Sequence, residues 1–455
     1  MRRVPSVNSA SQSLDQLPSE LRAEDLITMD DLPVSRAEIE LSAPPSMLKP
    51  VSPEEQTTKI ITLVRLYTQP LGVVVLDGTK GLAWQTHSSV VWAAMQQRIN
   101  SHLETNGLPP VDDIDAINGT PQDAPKWMQR RAVVLADPPR ITVVIATRER
   151  CDNLRVCLEA LRQVEYPHYE IVVVDNDPVT TDTETLVTNS FPEVRYVCEK
   201  RRGLSSAHNR GLAEVNTEIV AFVDDDCIVD RYWLTSIAEG FAAGTDVRCV
   251  TGLILTAELA TPAQLLLQRH GSYDKGFELR LFDMGRNRPD DPLFPFTTGR
   301  LGSGANMAFD TKTLRGIGGF DPALGTGTVT RSGDDLLAFF RVVLKHQLAY
   351  QPAAIVWHRH HRDMAAVPNQ AVSYGVGFGA FVASVLVHEP KVWLELLRRL
   401  PGGLKYGFSP TSARNRHRYD GIPKGLARRE NLGLLYGPVL YAKSRWKIRR
   451  GAMPR

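Results

Sequence analysis

Apolar residues dominate 141–146, where only Thr142 interrupts them, and fill 171–174 and Ile219–Val223, with a shorter stretch after Arg195 at 195–198. Runs of this length and composition predict strands buried on both faces. Between the first two, Asp152 stands where a helix begins, and Leu154, Cys157, Leu158 and Leu161 recur at helical spacing. A further helix is predicted over residues 206–213. Strands alternating with helices imply a mostly parallel sheet covered on both sides. In such sheets ligands bind beyond the carboxyl ends of the strands. Three runs end there on polar groups: Thr147-Arg148, Asp175-Asn176 and Asp224-Asp225-Asp226.

Elsewhere the pattern is weaker. Residues 60–67 and 72–76 read as two strands joined by a turn at Gln69-Pro70, and residues 88–103 as an amphipathic helix. Together they predict a small α+β domain over 56–120. Pro121, Pro125, Pro138 and Pro139 mark a linker over 121–139. Residues 1–55, rich in Ser, Pro and acids, are expected to be disordered. The α/β domain spans 140–363. Beyond it, 364–455 is expected to be helical and basic. Its apolar stretch 371–387 contains Gly375, Gly377 and Gly379 and is short for a membrane span, so it reads as a buried or interfacial helix.

Composition narrows the class. Of 455 residues, 43% are apolar and 23% charged, as in an ordinary globular protein. The net charge of +2 hides an asymmetry: residues 1–55 carry five Lys/Arg against ten Asp/Glu, residues 391–455 sixteen against three. A basic tail of that kind suits an anionic surface. It carries no recognisable nucleic-acid module, so no nucleic-acid partner is expected. The five cysteines have no CxxC spacing, which argues against structural zinc or a disulfide framework and for a reducing compartment. With no apolar signal core after Met1-Arg2-Arg3, a cytoplasmic location, with peripheral attachment to a membrane face, is expected.

The aspartate triplet carries the chemistry. Adjacent acids repel and are costly to desolvate, so a run at the end of a buried strand suits a bound divalent cation. The alternative is a solvated turn leading into a helix, with Asp230 capping residues 231–241.

The segments VVIATRER (143–150), VVVDN (172–176), SSAHNRGL (205–212), FVDDD (222–226), GSGANM (302–307), GGFD (318–321), RSGDDL (331–336) and Trp357-His358 resemble, in this order, family 2 glycosyltransferases of the GT-A fold. The resemblance covers about residues 140–363. It implies a GT-A, Rossmann-like sheet flanked by helices and an inverting transfer from a nucleoside-diphosphate sugar, UDP by family habit, to a hydroxyl acceptor. Mn²⁺ or Mg²⁺ is the implied cofactor, with Asp226 and His358 as its ligands. Ala146, Thr147, Arg148, Asp175, Arg202, Asn209, Asp224 and Asp225 are the implied donor-binding residues. Asp335 matches the general base and Asp334 its acidic partner, where the family has Glu-Asp. Asn306, Met307, Phe320 and Asp321 are implied to line the acceptor cleft.

Other readings remain open at this stage. Asn209 equally suits helix packing, and the triplet leaves the metal register open by one residue. His358, His360 and His361 with Arg359 and Arg362 also read as an anion-binding patch. A sugar-1-phosphate nucleotidyltransferase would need a Gly-rich loop after the first strand, where Thr147-Arg148-Glu149-Arg150 has no glycine. An inactive nucleotide-sugar-binding protein is the remaining alternative. The acceptor is a lipid-linked sugar, a glycan, a peptide or a small molecule.

Overall fold

The computed structural model describes residues 23–51, 57–117, 119, 124–271, 273–409 and 425–450. An N-terminal three-stranded sheet is formed by β1 (Ser35–Glu40), β2 (Lys59–Leu66) and β3 (Gln69–Asp77), with β2 central, and is covered by α1 (Trp84–Thr105). The strand β1 corrects the expectation that residues 1–55 are disordered. Ala37, Ile39 and Leu41 alternate inward, which gives this acidic segment an apolar face to bury. Residues 1–22 and 52–56 lie outside the described residues.

The hairpin turn also differs from expectation. It falls at Tyr67-Thr68, both with positive φ (50° and 69°), and Pro70 lies within β3. Two-residue hairpin loops need left-handed backbone. Here neither residue is glycine, and the Glu40 carboxylate accepts both their backbone N–H groups at 2.8 and 2.7 Å. The expected linker is likewise corrected, because it contains α2 (Lys126–Ala136). Trp127 and Arg131, one turn apart, stack at 4.9 Å, and Arg131 pairs with Glu239 at 2.7 Å.

The second sheet has nine strands. Its first half is β4 (Ile141–Thr147), β5 (Tyr169–Asn176), β6 (Arg195–Glu199) and β7 (Ile219–Val223), parallel in the order β7-β4-β5-β6. The crossovers are α3 (Cys151–Leu161), α4 (Asp182–Ser190) and α5 (Leu204–Glu214). Side chains alternate: Val143, Ile145, Ile171 and Val173 meet α3, α4 and the later α6 (Trp233–Phe241), while Val144, Val172 and Val174 meet α5. Burial of each such side chain contributes about 1.5–3 kcal/mol. Gly211 permits the α5 contact, since a Cβ there would lie 2.4 Å from Val144.

The second half contains β8 (Cys227–Val229), β9 (Val247–Thr256), β10 (Arg280–Phe282), β11 (Asn306–Asp310) and β12 (Gln347–His358). Strand β11 lies antiparallel between β7 and β9, and β12 pairs parallel with β9. Three helices belong to this half: α7 (Pro262–Gly271), α8 (Thr311–Gly316) and α9 (Asp334–Val343). The N-terminal sheet packs onto this half through Leu63, Leu253, Leu255, Ile355 and Trp357. A buried ion pair, Arg65 to Asp230 at 2.5 Å, ties the two sheets together.

The C-terminal region is helical: α10 (Ala366–His388), α11 (Trp393–Phe408) and α12 (Leu426–Arg449). Helices α10 and α12 run parallel in backbone contact, because glycines face each other. A Cβ at Gly375 would lie 1.9 Å from Glu430 O, and one at Gly437 2.5 Å from Val376 O. By length and composition α10 could cross a membrane, yet half of its apolar window is buried inside this protein.

Candidate active site

Strand pairing brings the acids together. The triplet closes β7, and the chain turns at once into β8, whose Cys227 is in register with His358 at the end of β12. Asp226 therefore sits beside His358, with Oδ1 3.3 Å from Nε2. On its other side Arg150, from the loop after β4, donates to Asp225 Oδ1 at 2.6 Å and Asp226 Oδ2 at 2.8 Å. Thr147 Oγ1 donates to the second oxygen of Asp225 at 2.7 Å.

The three aspartates thus differ. Asp225 is satisfied by the chain's own groups, although burial pushes its carboxyl up to about 6. Asp224 makes no side-chain hydrogen bond among the described residues. Burial, with Asp226 beside it, pushes its carboxyl up to about 7. Asp226 goes the other way: burial opposes its ionisation, but His358 and Arg150 outweigh that and hold it well below the usual carboxylate range. Burial opposes the His358 cation, but Asp226, with Asp224 behind it, outweighs that and raises the imidazole.

Asp226 Oδ1 has only the long 3.3 Å contact to His358, short of a well-formed hydrogen bond, and His358 Nδ1 has no hydrogen-bond partner among the described residues. Orphaned buried acceptors of this kind call for an explanation, a bound ion being one. Asp226, Cys227 and His358 offer donor atoms within 4.8 Å of one another. Burial raises the Cys227 thiol well above its usual range, so it stays protonated. The oxygen and nitrogen donors of Asp226 and His358 fit a hard divalent cation, and the thiol does not.

Along the same sheet edge, Asp175 is fully buried. Tyr196 donates to its Oδ2 at 3.0 Å, and its Oδ1 is left without a partner. Burial raises this carboxyl to about 6. Arg148 lies near, paired with Asp177 at 3.3 Å; Ala146 is half-buried on β4, and Arg202 is half-buried just before α5. Across the site, α9 begins at Gly333, whose φ of 100° sets the entry. Asp335 is half-buried and accepts from the N–H groups of Gly304 at 2.9 Å and Leu336 at 2.8 Å. Burial raises Asp335, while these bonds pull it back. Asp334 is buried, and desolvation with Asp335 beside it pushes its carboxyl up to about 8. Asp224 contributes to that shift as well, which places the triplet within electrostatic reach of the pair.

Five expected contacts are corrected. Asn306 is buried, accepting from Trp233 Nε1 at 2.9 Å and donating to Leu253 O and Ala354 O, so it locks the sheet. Met307 and Phe320 are core residues, Phe320 packing on His208, Phe222 and Phe309. Asp321 accepts from His388 at 2.8 Å and Tyr441 at 2.6 Å, tying α10 and α12 to the α/β domain. Both ends of the Asn209 amide bond the Phe320 backbone, the packing role that its sequence also allowed. The histidine patch does not form an anion site either: His360 lies 4.8 Å from His358 ring to ring, but it is buried against Gln268, burial pushes it down to about 3, and Arg362 pairs with Glu258. Conversely, Arg150 and Tyr196 were not legible as site residues, since an arginine in a loop and a tyrosine in a strand carry no local signal.

Residues 142–301 match the family model "Glycosyl transferase family 2". The match takes in the strands from β4 to β10 and the aspartate triplet, and the surrounding helix-flanked mixed sheet has the expected GT-A architecture. Among curated proteins, the chain is 26% identical over 254 residues to the pre-mycofactocin glycosyltransferase of Mycobacterium tuberculosis (strain CDC 1551 / Oshkosh), covering 55% of this chain and 48% of that protein. It is 29% identical over 119 residues to the glycosyltransferase AglE of Haloferax volcanii, covering 25% and 39%. The chain thus spans about half the length, or less, of these relatives. A solved mannosyltransferase from Pyrobaculum calidifontis, in complex with GDP-Man and Mn²⁺, is 15% identical with a TM-score of 0.41, covering 70% of this chain and 93% of that one.

Proposed function

We propose that this protein is an inverting glycosyltransferase that moves a sugar from a nucleoside-diphosphate sugar to a hydroxyl acceptor. The observation that carries this reading is the set of unsatisfied acids at one sheet edge. Among the described residues the Asp224 carboxylate accepts no hydrogen bond, Asp226 Oδ1 has only the His358 ring beside it, His358 Nδ1 makes no hydrogen bond, and Asp335 is half-buried across the site. Asp226 and His358 would hold a divalent ion. When bound, such an ion neutralises the charge that builds on the departing diphosphate. Asp175 Oδ1 accepts a hydrogen bond from the nucleoside base, with Tyr196 fixing the other oxygen. Ala146, Thr147, Arg148 and Arg202 border the nucleotide, and Asp224 accepts from the ribose.

Asp335 takes the acceptor proton as the acceptor oxygen bonds the anomeric carbon, and the bond from that carbon to the diphosphate oxygen breaks. Its two backbone hydrogen bonds aim the carboxylate, and protonated Asp334 behind it adds no second negative charge. The basic C-terminal helices serve as attachment to an anionic membrane surface, where a lipid-linked acceptor would be met. UDP-sugars are the first donors to try. The test is a thermal-shift panel of UDP-, GDP- and dTDP-sugars with and without Mn²⁺, followed by donor turnover for those that bind. Metal-dependent stabilisation by at least one nucleotide sugar is expected. No stabilisation across the panel, in the presence of metal, would overturn the reading.

A further inference from the structure

The helix α12 is amphipathic in an unusual sense: one face is buried and the opposite face is apolar but bare. Glu430, Gly433, Gly437, Tyr441 and Ser444 are buried, with the two glycines against α10. At about 100° per residue, Leu432, Leu435, Tyr436, Val439 and Trp446 share the other face, and they are 45–65% exposed. A stripe of large exposed apolar side chains along a single helix marks an interaction site.

Charge decides what occupies it. Arg428 and Arg429 stand at one end of the same face, and Lys443, Lys447 and Arg450 at the other. The Arg450 guanidinium lies 4.2 Å above the Trp446 ring, a cation held against an aromatic. Over residues 425–450 there are seven Lys/Arg and one acid, Glu430, which is buried. An apolar stripe with cations at its ends and no exposed acid complements a bilayer with anionic head groups, with the side chains entering the acyl boundary and the cations meeting phosphates. The structure therefore points to a specific docking face. We propose that α12 lies in the plane of an anionic membrane, inserting Leu435, Tyr436 and Val439. The N-terminal half of α10, packed on α12, holds Ser332 beside Asp334 through Ser373 O at 3.0 Å. A docked α12 therefore holds the catalytic edge close to the lipid surface.

This inference rests on the reading of the basic region as an anionic-surface ligand, and one experiment separates the two. The full-length protein is floated with phosphatidylcholine vesicles and with phosphatidylcholine/phosphatidylglycerol vesicles. The variants are Leu435→Ser/Tyr436→Ser/Val439→Ser and Lys443→Glu/Lys447→Glu, each checked for an unchanged melting temperature. The wild type is expected to float with anionic vesicles only, and each variant to bind about tenfold more weakly. If the wild type fails to float, the anionic-surface reading and this inference both fall. If the wild type floats and the serine variant floats equally, the stripe is not the docking face although the charge reading stands. If the serine variant instead converts a dimer to a monomer in sedimentation, the occupant is a second copy and the inference is overturned.

Discussion

At the scale of single residues, the site is governed by which carboxylates have partners. Asp226 is held ionised by His358 and Arg150, whereas Asp175 is buried and Asp224 half-buried, neither in an ion pair among the described residues. Replacing Asp226 or His358 with alanine should remove the Mn²⁺-dependent rise in melting temperature, while Cys227→Ser should retain it. Equal metal shifts in all three variants would refute the ligand assignment. Asp175 gives a pH signature. Its folded-state value, about 6, exceeds the ordinary aspartate value of 3.8, so the folded protein holds this proton more tightly than the unfolded chain. The contribution is complete below about pH 4 and is lost as pH rises through about 6, worth at most roughly 3 kcal/mol. Asp175→Asn should therefore gain stability relative to the wild type between pH 4 and pH 7 in urea melts. Parallel curves would contradict that. The aspartates were legible because a charge at the end of an apolar run is conspicuous. Asn306, Met307, Phe320 and Asp321 were misplaced because a motif's order along the chain does not say which side chains point into the core.

At the scale of elements, long-range pairing outweighs local pattern. The parallel strands β4, β5 and β7 could be read directly, since burial on both faces leaves a nearly continuous apolar run. Strand β1 and helix α2 could not, because their burial comes from partners distant in sequence: β2 for β1, and Glu239 on α6 for Arg131. Two substitutions probe these joints. Gly437→Leu should destabilise the protein by about 3 kcal/mol or more, since even a Cβ there would meet Val376 O at 2.5 Å. Arg65→Met leaves Asp230 buried beside Glu38 without its cation and should cost about 3–5 kcal/mol. Chemical denaturation measures both, and a loss below about 1 kcal/mol in either case would show that the joint is looser than its geometry.

At the scale of the whole molecule, three parts converge on one edge. The N-terminal sheet packs beneath β12, with Arg36 stacked 4.5 Å over Trp357, next to His358. The C-terminal helices reach the same edge from the other side, through Asp321 and through Ser332. The α/β domain is thus clamped between two additions that its own motifs do not announce. The central claim is that Asp335 is the base of the transfer. Its raised carboxyl predicts an acid limb in the pH–rate profile above the ordinary carboxylate range, with activity rising as pH rises. The most direct test is Asp335→Asn, assayed for sugar transfer and, separately, for metal-dependent nucleotide binding by calorimetry. The account predicts a loss of turnover of about 10²–10⁴-fold with nucleotide affinity little changed. Turnover within a few-fold of the wild type would contradict it.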